Sequence, residues 1–237
     1  MSSDPASALA SGLAAALGAS EITDLARLSG GASRETWRFR ADGRPLILQR
    51  QRSGDGRDMG IEASVLRAAG AAGMPVAQVI ASATGDDNPV GASFMVMTAV
   101  DGETIARKIL RDPEYAAARE ALPAQLGRAL AQLHRADITH IDGLSSGDQL
   151  QQYRAVLDMT GQPHPAFELA FRWLETHRPP PRRPTLVHGD FRMGNVIVGP
   201  EGLRAVLDWE LAHIGDPMED LGWLCTKAWR FGSPLPV

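Results

Sequence analysis

The sequence predicts an α+β protein of two lobes, the first an antiparallel five-stranded sheet with one inserted helix and the second mainly helical. Three observations predict it. Short apolar runs parted by turn residues fill the stretch before Asp101-Gly102, leucines recur at helical spacing after it, and a late hairpin is flanked by polar residues that a core would not need. The lobes are expected over residues 1–100 and 101–237.

The chain opens on a small, apolar stretch, Met1 to Leu17, read as an amphipathic helix. Ile22 to Leu28, Glu35 to Arg40 and Pro45 to Arg50 then read as three strands of a meander. Gly30-Gly31-Ala32-Ser33 separates the first two, and Ala41-Asp42-Gly43-Arg44 is a four-residue connection suited to a hairpin. After a polar, Gly-rich stretch, Ile61, Val65 and Leu66 are spaced for one buried face of a helix from Met59 to Ala72, ended by Gly73 and Pro75. Ala77 to Ala81 and Ser93 to Val100 complete the five strands.

Beyond Thr104 the pattern turns helical. Leu122, Leu126, Leu130 and Leu133 mark a central helix ending near His134, and a further helix from Asp148 to Thr176 is interrupted around Gly161 to Pro165. The run Pro179 to Pro184 is a stiff connector to a short strand at Leu186-Val187. Val196-Ile197-Val198 and Leu203 to Leu207, joined through Gly199 to Gly202, read as a hairpin.

Composition narrows the function classes. A formal net charge of -4 offers no basic footprint for a phosphate backbone, so nucleic acid is not an expected partner. No run of apolar residues reaches the roughly 18 needed to cross a bilayer, so no membrane partner is expected. The single cysteine, Cys225, rules out an intrachain disulfide framework, fits a cytoplasmic location and reads as a core residue.

Chemistry concentrates in Val187-His188-Gly189-Asp190-Phe191-Arg192-Met193-Gly194-Asn195, directly before the late hairpin, and Leu207-Asp208-Trp209-Glu210, directly after it. A tight hairpin brings its outer ends together, which sets Asn195 beside Asp208. An amide oxygen and a carboxylate there suit Mg²⁺, a hard cation commonly held by one or two protein groups plus substrate phosphates. Asp190, on the approaching loop, is placed to orient an acceptor hydroxyl and take its proton.

These residues resemble the aminoglycoside phosphotransferase family of the protein-kinase-like fold, over nearly the whole chain. The resemblance implies that Asp190 is the catalytic base, that Asn195 and Asp208 hold magnesium, and that ATP and a small-molecule hydroxyl acceptor are the substrates. Gly215 to Leu221 is similar to the family's GDPxxDL segment, whose acidic residues, here Asp216 and Asp220, brace the catalytic loop. Leu28 to Thr36 resembles the loop over the ATP phosphates, which implies contacts from Gly30, Gly31 and Ser33. The family also places a basic residue on the third strand, paired with a glutamate on the inserted helix. Arg50 and Glu62 are the candidates, with Gln49 the alternative occupant of the strand position. Met97, Thr98 and Val100 are expected at the hinge beside adenine. Within the family the chain is similar to phosphotransferases encoded with, or fused to, acyl-CoA dehydrogenases, which implies a hydroxyacyl acceptor, with an aminoglycoside-like acceptor the alternative. Because the family continues with further helices, the resemblance also implies a C-terminal lobe truncated at Val237.

Other residues have plainer readings. His188 is expected to orient the loop, His134 to pack or cap a helix end, and Trp209 and Trp223 to fill the core. Three alternative functions are a catalytically inactive nucleotide-binding module, motivated by the Gln49-Arg50 irregularity; a metal-dependent hydrolase built on His188, Asp190 and Asp208; and a protein kinase.

Overall fold

The computed structural model describes residues 5–30, 34–51, 59–180 and 182–226. Helix α1 (Pro5–Leu17) leads into strands β1 (Ile22–Gly30), β2 (Arg34–Ala41) and β3 (Arg44–Gln51). Helix α2 (Met59–Ala71) and strands β4 (Val79–Ala83) and β5 (Phe94–Thr98) follow. All neighbours in the five-stranded sheet are antiparallel, in the order β1-β2-β3-β5-β4. The β2–β3 turn is tighter than the sequence implies. Ala41 pairs with Arg44, so only Asp42 and Gly43 form the loop, both at positive φ (47° and 78°), which matches the right-handed twist of the flanking strands.

Strand alternation divides the sheet into two faces. Leu46 and Leu48 of β3, with Phe94 and Val96 of β5, pack on Leu9 and Leu13 of α1. The other face, carrying Ile47, Met95 and Met97, packs on Met59, Ala63 and Leu66 of α2 and joins a core that continues into the second lobe.

That lobe contains α3 (Ala106–Arg111), α4 (Ala116–Leu133), α5 (Gln149–Met159), α6 (Pro165–Thr176) and α7 (Met218–Leu224). Two small antiparallel pairs join them: β6 (Thr185–Val187) with β9 (His213–Gly215), and β7 (Val196–Gly199) with β8 (Gly202–Val206). The leucines at helical spacing in α4 are all buried. Truncating one such residue, Leu130, should cost about 2–5 kcal/mol through lost transfer energy and the cavity left behind. The helical stretch expected from Asp148 to Thr176 is broken where the sequence predicts, between α5 and α6. Asp148 caps α5 by accepting from the Leu150 and Gln151 backbone N–H groups, and Pro165 opens α6 at a position where its missing N–H costs nothing.

The lobes meet where the chain leaves β5. Glu103 exchanges both backbone hydrogen bonds with Val198 of β7 (2.9 and 3.0 Å), and Arg204 of β8 donates to the Asp101 carbonyl at 2.8 Å. Two sequence expectations fail in this lobe. Cys225, expected in the core, is exposed just past the end of α7. Trp223, expected alongside it, is 38% exposed, because α7 is short and turns that face outward, whereas Trp209 is buried as expected. Among the described residues, no helix is long and apolar enough to cross a membrane.

Candidate active site

Strand β6 delivers the chain to His188 through two fully buried residues, Leu186 and Val187. The next residue must be glycine. Gly189 has φ +82°, and a Cβ there would lie 2.5 Å from the Leu211 carbonyl oxygen. Asp220, fully buried on α7, holds this turn by accepting from the backbone N–H groups of His188 and Gly189, each at 3.0 Å, and its Oδ2 also lies 3.0 Å from His134 Nε2. The bracing role expected of Asp220 is therefore visible. Asp216 does something different: its carboxylate accepts from the Met218 N–H at the start of α7, so it shapes that helix's entry.

The His188 ring is fixed by both nitrogens. Nδ1 accepts from the Asp190 backbone N–H (3.1 Å), which leaves Nε2 as the protonated nitrogen donating to the Leu207 carbonyl (2.9 Å). Burial pushes its pKa below the ordinary histidine value, so the neutral ring is the form held here. His188 thereby ties the turn carrying Asp190 to the residue immediately before Asp208.

Asn195 and Asp208 sit at the two outer ends of the β7–β8 hairpin, where Val196 pairs with Val206 and the Leu207 N–H donates to the Asn195 carbonyl at 2.8 Å. Asn195 Nδ2 donates to the Asp190 carboxylate (2.6 Å) and to the Asp190 carbonyl (2.9 Å). Because both partners are acceptors, the amide oxygen of Asn195 faces the other way. Asp208 has φ +63°, an uncommon conformation for a non-glycine residue and one that clusters at functional sites. Burial raises its pKa, the Glu210 and Asp190 carboxylates add to the rise, and Arg34 opposes it. An amide oxygen and a carboxylate with other carboxylates nearby fit a hard divalent cation such as magnesium.

The Asp190 carboxylate is held from several sides. Arg192 Nε lies 3.1 Å from both of its oxygens, and the indole Nε1 of Trp223 donates to Oδ1 at 2.6 Å. Sequence reasoning missed both residues. Arg192, two residues away, had its i+2 spacing as the available signal; Trp223 had none, since only the packing of α7 brings it there. Trp223 and Gly189 also line a cavity of about 740 Å³ with Gln149, Tyr153, Glu210 and Leu211.

The expected ion pair across the first lobe forms with a different partner. Glu62 on α2 is paired to Arg34 of β2 (2.9 Å), not to Arg50. The reason is strand phase. Arg50 stands opposite Glu35 and Phe94, and Phe94 belongs to the α1-side core, so Arg50 is on the face turned away from α2. Gln49 stands opposite Thr36 and Met95 on the α2 side, and its side-chain oxygen accepts from Arg34 at 3.2 Å. The second arm of Arg34 reaches Glu210, two residues past Asp208, at 3.1 Å. Burial works against charge on Arg34, but the Glu62, Glu210 and Asp208 carboxylates outweigh it and hold its pKa above the ordinary value. Burial raises the Glu62 pKa against the opposing pull of Arg34.

Of the other expected residues, Gly30 ends β1 opposite Glu35, while Gly31 and Ser33 lie outside the described residues. Met97 is buried on the α2-side face and Val100 packs against the same core. Thr98 is committed to Gln78, donating its N–H to the Gln78 carbonyl and accepting the Gln78 N–H on its hydroxyl, both at 2.9 Å.

Comparison with known proteins gives a family and a fold. The sequence model of the phosphotransferase enzyme family matches residues 24–236. The chain belongs to that family. The chain is 32% identical over 235 residues to acyl-CoA dehydrogenase family member 10 of Mus musculus, covering 90% of this chain and 21% of that protein. It is 33% identical to acyl-CoA dehydrogenase family member 11 of Homo sapiens, covering 68% of this chain and 22% of that protein. The chain thus spans about a fifth of the length of these curated relatives. Among solved structures, it superposes on a thermostable mutant of aminoglycoside phosphotransferase APH(4)-Ia in ternary complex with AMP-PNP and hygromycin B. The TM-score is 0.69 at 19% identity, covering 91% of this chain and 75% of that one. A putative fructosamine-3-kinase from Thermobifida fusca gives a TM-score of 0.62 at 22% identity, covering 91% of this chain and 77% of that one. The chain therefore has the protein-kinase-like fold, in keeping with its family.

Proposed function

We propose that the chain transfers the γ-phosphoryl group of ATP to a hydroxyl of a small molecule, with ATP in the crevice between lobes that divide at Asp101-Gly102. The observation that carries this reading is the convergence of Asp190, Asn195 and Asp208: Asn195 bonds the Asp190 carboxylate at 2.6 Å and shares the end of one hairpin with Asp208. Asp190 is oriented as a base by Asn195, Arg192 and Trp223. It accepts the acceptor's hydroxyl proton as the new O–P bond forms and the bond from the γ-phosphorus to the β–γ bridging oxygen breaks, releasing ADP. Asn195 and Asp208 would hold magnesium, which neutralises charge on the transferring phosphate. Gly30, Gly31 and Ser33 are assigned to the phosphates, and Met97, Thr98 and Val100 to the adenine side.

The cavity lined by Trp223 and Gly189 is assigned to the acceptor, since Trp223 bonds the Asp190 carboxylate and Gly189 is the residue before it. A hydroxyacyl compound is the favoured class, because curated relatives near 32% identity are named acyl-CoA dehydrogenases. An aminoglycoside acceptor rests on neighbours near 19% identity, which share the fold alone.

The test is ATP consumption against a panel of hydroxyacyl thioesters and aminoglycosides, with wild type and Asp190→Asn. The reading expects an acceptor-dependent rate that falls at least a hundredfold in the variant. Nucleotide binding with no consumption for any acceptor would favour the inactive nucleotide-binding module instead.

A further inference from the structure

The strand position that faces α2 on β3 is occupied by an uncharged residue, Gln49, and the cation expected there comes from elsewhere. Arg34 lies on the neighbouring strand β2, and its Nη1 lies 2.9 Å from Glu62 and 3.2 Å from the Gln49 side-chain oxygen. Its Nη2 crosses to the second lobe and meets Glu210 at 3.1 Å, beside Asp208. The guanidinium therefore bridges the Glu62 carboxylate that steadies it and Glu210, two residues past the proposed metal ligand Asp208. The Arg34 side chain is only 12% exposed, and its planar fork is held at Nη1 by Glu62 and Gln49 and at Nη2 by Glu210, with the Asp208 carboxylate near enough to help keep it charged. Arg50 does not replace it. Arg50 is turned to the α1 side, where its Nε is buried with no hydrogen-bond partner among the described residues.

We infer that Arg34 is the phosphate-binding cation of this site, a role moved from the third strand to the second, with Gln49 serving to position the guanidinium instead of touching the nucleotide. The inference rests on the proposed ATP site. A triphosphate entering beside Asp208 meets the Nη2 edge and takes the place of Glu210, while Glu62 and Gln49 keep hold of Nη1. A guanidinium suits this arrangement because its five N–H donors let it hold two protein acceptors and a phosphate together, which a lysine ammonium with three donors does less well.

The test is calorimetric titration of the whole chain with ATP, AMP and adenosine in the presence of Mg²⁺. The proteins are wild type, Arg34→Ala, Gln49→Arg, and the double variant Arg34→Ala/Gln49→Arg. Arg34→Ala should weaken ATP binding about tenfold to a hundredfold, as loss of a charge-assisted hydrogen bond implies, and leave adenosine within about twofold. The double variant returns a guanidinium to the α2-facing position of β3 and should recover most of the lost ATP affinity. Wild type that binds ATP while Arg34→Ala binds it equally well would overturn the inference and leave the ATP site intact. Equal losses for ATP and adenosine, unrecovered in the double variant, would also overturn it, by showing that Arg34 only supports the fold. A folded wild type that binds no nucleotide would overturn the underlying ATP site and the role of Arg34 with it.

Discussion

The indole of Trp223 donates to Oδ1 of Asp190 at 2.6 Å, from a helix that begins 28 residues later in the chain. A side chain that lines the 740 Å³ cavity is thus also one that holds the proposed base in place. Trp223→Phe keeps the ring and removes the donor. It should lower acceptor-dependent phosphoryl transfer about tenfold, the worth of one charge-assisted hydrogen bond, and leave ATP affinity within about twofold. Paired rate and calorimetric measurements check this split.

Asp220 satisfies two buried backbone N–H groups with one carboxylate, so its loss should be felt in stability as well as rate. Asp220→Ala is expected to destabilise the chain by about 3 kcal/mol, because the His188 and Gly189 N–H groups would be left buried and unpaired. Urea denaturation of the variant and wild type measures the difference.

Gly189→Ala introduces a Cβ 2.5 Å from the Leu211 carbonyl oxygen at φ +82°. The turn cannot hold both, and a cost of about 1–3 kcal/mol is expected together with loss of transfer, since Asp190 is the next residue. Gly215→Ala places a Cβ only 2.6 Å from the Glu219 carboxylate but at negative φ, where a side-chain shift relieves the contact, so it should be milder. Thermal melts of the two variants side by side give the comparison.

The two buried histidines of this lobe should titrate in opposite directions. Burial holds His188 below the ordinary value of 6.5, so the unfolded chain binds its proton first as pH falls, and stability drops below about pH 6.5. His213 runs the other way: burial opposes its charge, but the hydrogen bond to Glu219 (2.9 Å) wins and raises its pKa. Its contribution is complete below pH 6.5 and is lost as pH rises through the raised folded value. Ring-proton NMR should find the His188 midpoint below 6.5 and the His213 midpoint above it; the reverse order would contradict the packing.

Much of this was readable before any coordinates. Asp190, Asn195 and Asp208 show themselves because a hairpin of known length forces its ends together, and hairpin chemistry is local. The five strands and α2 show themselves through periodicity, which the sheet then obeys. What the sequence hides depends on phase and on distant packing. Arg50 and Gln49 are neighbours, and only the register against Phe94 and Met95 reveals which of them faces α2. Arg34 gave no sign of pairing with Glu62, because the pair joins two elements across 28 residues. Strand β9 is three residues long, too short for any alternation, and is made by its partner β6. Trp223 read as core because a large ring usually is; the helix that carries it is short and turns it toward Asp190 instead.

The central claim is that Asn195 and Asp208 form a metal site serving a nucleotide, and titration of ATP with and without Mg²⁺ into wild type and Asp208→Ala tests it most directly. Wild type should bind ATP at least tenfold more tightly with Mg²⁺ than without it, and Asp208→Ala should lose that difference while remaining folded. A folded wild type whose ATP binding is indifferent to Mg²⁺, or an Asp208→Ala variant that keeps the full magnesium effect, would contradict the account.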